Sequence, residues 1–79
     1  MSPHENKYKK TRDGYILAVV EILEKETGGT VALPLAYHRV SIDDAFHLWE
    51  VAKKAGFAGL QNEAGKMGLP LIPIQKRMI

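Results

Sequence analysis

The sequence predicts a small α+β domain of three helices, the second short, closed by a C-terminal β-hairpin. Three observations carry the prediction. Two stretches place apolar residues at helical spacing between capping residues. A short β-branched run lies between them. After residue 56, two short apolar runs flank a glycine-bearing turn.

The first helix is expected near residues 12–27, in TRDGYILAVVEILEKETGG. Thr11 or Asp13 can accept from the free amides of its first turn. Tyr15, Ile16, Val19, Ile22, Leu23 and Thr27 recur on one face. Glu21 and Lys25 stand four apart in the favourable order, and Gly28-Gly29 offers a left-handed terminator. TVAL (30–33) reads as a short strand that Pro34 breaks, with proline well placed to open a short helix in LAYHR. Ser41 then caps a further helix over 42–55, where Asp43 and Asp44 in the first turn and Lys53 and Lys54 in the last complement the helix dipole. Ala45, Leu48, Trp49, Ala52 and Ala55 form its inner stripe, so Trp49 is expected in the core against Val19 or Leu23. Gly56 ends it. FAGLQN and MGLPLIPI follow as the hairpin strands, with Gly65 at the turn position needing positive φ. Pro70 and Pro73 have no N–H to donate and their odd separation puts the missing donors on opposite edges, so LPLIPI is either a frayed strand or an extended polyproline-like segment.

Seventy-nine residues make one domain with a small core, and the chain has no cysteine to staple it or to bind metal through thiolate. A homodimer is therefore expected, in a cytoplasmic setting. No apolar run is long enough for a membrane span, and the polar start MSPHENKYKK is not a secretory signal. The net charge of +2 is unevenly spread. Lys7, Lys9, Lys10 and Arg12 face only Glu5 in the first twelve residues, so 1–11 reads as a flexible basic arm and 12–79 as the folded unit. Acidic residues dominate 13–27, and Lys66, Lys76 and Arg77 outweigh Glu63 near the end.

The order of elements from Tyr15 to Ile74 resembles a winged helix-turn-helix domain. The resemblance rests on Val40-Ser41 opening the third helix, on Ala55-Gly56-Phe57 closing it before a wing, and on EILEKETGGTV closing the first. It implies a DNA-binding transcriptional regulator whose helix 42–55 probes the duplex. On that reading Lys7, Lys9, Lys10, Arg12, Arg39, His47, Lys53 and Lys66 contact DNA. The exposed face of 42–55 carries Asp43, Asp44 and Glu50, however, and carboxylates repel phosphates. The alternative is a protein-interaction module of the same fold that docks a partner on Phe46, Asp43 and Glu50.

The glycines of A-G-F-A-G-L and A-G-K-M-G-L are read as punctuation. Gly65-Lys66-Met67-Gly68 is similar to the G-x-x-G loop of KH-type RNA modules, but Leu69-Pro70 cannot open the helix such a loop needs. No catalytic constellation emerges. Asp43-Asp44 fits helix capping, Ser41 and His47 are too far apart round a helix, and His4, His38 and His47 lack metal-ligand spacing. An enzyme is not expected, nor a cofactor or metal.

Overall fold

The computed structural model describes residues 11–75. The order is α1 (Arg12–Thr27), β1 (Thr30–Val31), a 3-10 turn (Leu35–His38), α2 (Ile42–Lys66) and β2 (Ile74–Gln75). Helix dominates, and α1 packs against α2.

Local chemistry sets the ends of α1. The Gly14 amide donates to Thr11 Oγ1 at 3.0 Å, and Gly28 at φ 73° terminates the helix. Tyr15, Ile16, Ala18, Val19 and Leu23 are its buried residues. The Val31 amide of β1 donates to Glu24 Oε2 at 3.2 Å, tying the strand back to α1. The 3-10 turn drives Tyr37 fully into the core, where its hydroxyl donates to the Pro70 carbonyl.

α2 starts where Ser41 accepts from the Asp44 amide at 3.1 Å. At Gly56 the backbone turns to φ 69°, ψ −161°, a region essentially restricted to glycine, and the helix then resumes in a new direction. Its first limb is 42–55 and its second 57–66. The break frees the Phe57 amide, which donates to Glu26 Oε1 of α1 at 2.9 Å. Gly59 is part of the same kink, since a Cβ there would stand 2.1 Å from that of Ala55. Leu60 and Ala64 are buried, with Phe57 and Met67 partly buried against the core. Gly68, at φ 80°, ends the second limb, and the Leu69 amide closes back on the Ala64 carbonyl at 2.9 Å.

Residues 69–73 then lie in neither helix nor strand. Gln61 holds them: its side chain donates to the Ile72 carbonyl at 3.2 Å and accepts from the Ile72 amide at 2.9 Å. Ile72 has the N–H that Pro70 and Pro73 lack and, unlike exposed Leu71, is buried, so it is the residue that the side-chain amide grips. β2 then pairs antiparallel with β1, Thr30 opposite Gln75 and Val31 opposite Ile74.

The structure corrects the expected fold. There is no C-terminal hairpin among the described residues. FAGLQN is helical, Gly65 lies within the helix rather than at a turn, and the partner of β2 is β1. Without a wing, the chain is not the expected three-helix winged α+β domain. Trp49 is only partly buried and meets Tyr15, while Ala55 is exposed rather than on the inner stripe. The expected arm, up to residue 10, lies outside the described residues.

Candidate interaction surface

The first limb of α2 points Ala45, Leu48 and Ala52 into the core. Ile42, Phe46, Trp49 and Lys53 follow one another at spacings of four, three and four, which sets them in a stripe along its flank. Asp43 and Glu50 stand three before and four after Phe46, on the side facing away from the core.

Three rings meet where this stripe touches α1. Tyr15 and Phe46 make an edge contact at 5.2 Å between centroids, Tyr15 and Trp49 lie 5.3 Å apart, and Phe46 and Trp49 5.8 Å. These distances fall within the favourable range for aromatic pairs. Tyr15 is buried, Trp49 partly so, and Phe46 is 41% exposed. Phe46 is thus an exposed ring held by two others. The ammonium of Lys53 sits 3.6 Å over the Trp49 ring and 3.4 Å from Glu50 Oε2.

The surface near the start of α1 has two hollows that share Asp13. One, of about 420 Å³, is lined by Thr11, Arg12, Asp13 and Ile42. The other, of about 460 Å³, is lined by Asp13, Ile16, Leu17, Val20 and His38. Ile42 and Leu17 are both 45% exposed.

The residues expected to contact DNA are scattered in their roles. Lys7, Lys9 and Lys10 lie outside the described residues. The Arg12 guanidinium is 3.8 Å from Asp13, and exposed Arg39 follows the 3-10 turn. His47 Nε2 lies 2.8 Å from Glu63 Oε2, a contact that bridges the two limbs of α2. That hydrogen bond, helped by the charges of His47 and Lys66, holds the Glu63 carboxyl below the usual range against a smaller opposing effect of desolvation. Lys53 is engaged with Trp49 and Glu50, and Lys66 is exposed in the last turn of the second limb. By contrast, Phe46, Asp43 and Glu50 stand together.

Sequence reasoning missed Tyr15 as the ring that orders Phe46, and Ile42 as an exposed neighbour. The signal was the i, i+4, i+7 spacing of Ile42, Phe46 and Trp49, a second apolar line beside the alanine-rich core face. Among the described residues no group of three or more His, Cys, Asp or Glu could hold a metal ion, and no helix is long and apolar enough to cross a membrane. Comparison with known proteins finds no matching family model, no matching curated protein and no matching solved structure.

Proposed function

We propose that this chain is a protein-interaction module that docks a partner on the Phe46-bearing face of the first limb of α2. The observation that carries the reading is the state of Phe46, exposed to solvent yet braced by Tyr15 and Trp49. A ring already ordered before binding loses little freedom on contact, which suits it to anchor an interface. Asp43 and Glu50 beside it favour a partner surface that combines an apolar side chain with cations. Duplex binding by this limb is the weaker reading. Its outward carboxylates oppose phosphate, while His47 and Lys53 already have carboxylate partners.

Trp49 is the only tryptophan, so its emission reports on this face. A helical peptide of alternating leucine and lysine blocks provides a probe of the required chemistry. The expected result is a saturable blue shift in the parent, with affinity at least tenfold weaker in Phe46→Ser at unchanged helical circular dichroism. Emission indifferent to the peptide would remove the reading.

A further inference from the structure

The first limb of α2 is charged oppositely at its two ends, and its apolar stripe runs between them. Asp43 and Asp44 occupy the first turn, Lys53 and Lys54 the last, and all four are exposed. Such a helix is complementary to itself when inverted. We infer that the partner of this face is a second copy of the chain, paired antiparallel limb against limb.

The inference rests on the docking reading and gives it an occupant. A twofold axis crossing the limb near Leu48 lays Asp43 of each copy over Lys53 of the other. The same crossing sets each Phe46 near the other copy's Trp49 and Glu50, and it aligns the helix dipoles favourably. Asp43 and Lys53 are ten residues apart, about 15 Å along a helix, so one crossing satisfies both ends together. A parallel pairing would instead bring acid against acid and lysine against lysine. Lys53 can turn to the second copy because its pairing with Glu50 is exposed and of little net strength. A single limb covers less than the roughly 800 Å² per partner of a standard interface, so the dimer is expected to be weak, with Kd on the order of 100 µM.

The test is sedimentation equilibrium on the full chain up to about 2 mM, a range that spans such a constant. The parent should show a monomer–dimer equilibrium. Asp43→Lys and Lys53→Glu should each raise Kd at least tenfold, because each homodimer then sets like charges together twice. An equimolar mixture of the two should regain parental pairing, since both cross-contacts are again opposite in sign. Asp43→Asn, milder at the helix start, should weaken pairing in the same direction if Asp43→Lys disturbs folding. A monomeric parent at 2 mM, or reversal variants that pair like the parent, or a mixture that does not recover, would each overturn the inference. A monomeric parent whose Trp49 emission still responds to the leucine–lysine peptide removes self-pairing and leaves the docking reading. A parent that neither pairs nor responds removes both.

Discussion

Glu26, near the end of α1, accepts the Phe57 amide at 2.9 Å and so closes the break that Gly56 opens in α2. The carboxylate lies at the start of the second limb, where the helix dipole favours negative charge. One contact therefore links the two helices and satisfies a backbone donor that the kink would leave free. Glycine at position 56 is required by its φ of 69°, and an added Cβ would also stand 2.8 Å from Glu26 Oε1, displacing the carboxylate from this contact.

The two A-G-x-x-G-L repeats should thus respond in opposite ways to the same substitution. Gly56→Ala forces a side chain into a glycine-only backbone region and against Glu26, for an expected loss of about 1–3 kcal/mol. Gly65 is helical with nothing within 4 Å of an added Cβ, so Gly65→Ala should stabilise by up to about 1 kcal/mol. Urea melts of both variants check the pair. Equal effects would mean that the kink is misplaced.

Tyr37→Phe should cost about 1–2 kcal/mol although it removes a single oxygen, because the Pro70 carbonyl loses the hydroxyl that holds segment 69–73. Burial also raises the Tyr37 pKa, so its hydroxyl remains a donor through the ordinary pH range. Hydrogen exchange at Ile72 supplies a local readout, and faster exchange is expected in the variant.

The His47–Glu63 contact across the kink carries a pH dependence of defined sign. The Glu63 carboxyl is held below its unfolded value, first by the hydrogen bond from His47. Its stabilisation is therefore present above the unfolded carboxylate pKa and is lost as pH falls through the folded value. Stability of the parent should decline in that acidic window, and Glu63→Gln should flatten that part of the curve. Thermal melts between about pH 2 and pH 6 cover the window, given ordinary carboxylate values near 4.3. A variant curve parallel to the parent's throughout would contradict the assignment.

What the chain declares locally is well separated from what only packing decides. Thr11, Gly28 and Ser41 mark helix ends through contacts within a few residues, and each does so in the structure. The second limb was hidden because three glycines in 56–65 lower helix propensity and mimic turn signals. Its periodicity was nevertheless present in Phe57, Leu60, Ala64 and Met67. Helix prevails there through tertiary contacts: Glu26 completes its start, and Leu60 and Ala64 bury fully. The candidate surface was half visible. Phe46 is readable as an outward aromatic, but helical spacing puts Trp49 on the inner stripe with Ala45, Leu48 and Ala52, whereas in the structure the alanines fill the close approach between helices and leave the larger ring at the rim.

On the proposed reading, the first limb of α2 meets protein rather than nucleic acid. Amide chemical-shift mapping of the full chain at about 50 µM, below the expected dimer constant, separates the two partners. Two titrations are compared, one with the leucine–lysine peptide and one with a random-sequence DNA duplex at low salt. The peptide should move Tyr15 and residues 42–53 in a saturable way, and the duplex should leave those amides unmoved. Duplex-induced shifts concentrated on Asp43, His47 and Glu50, with none from the peptide, would contradict it.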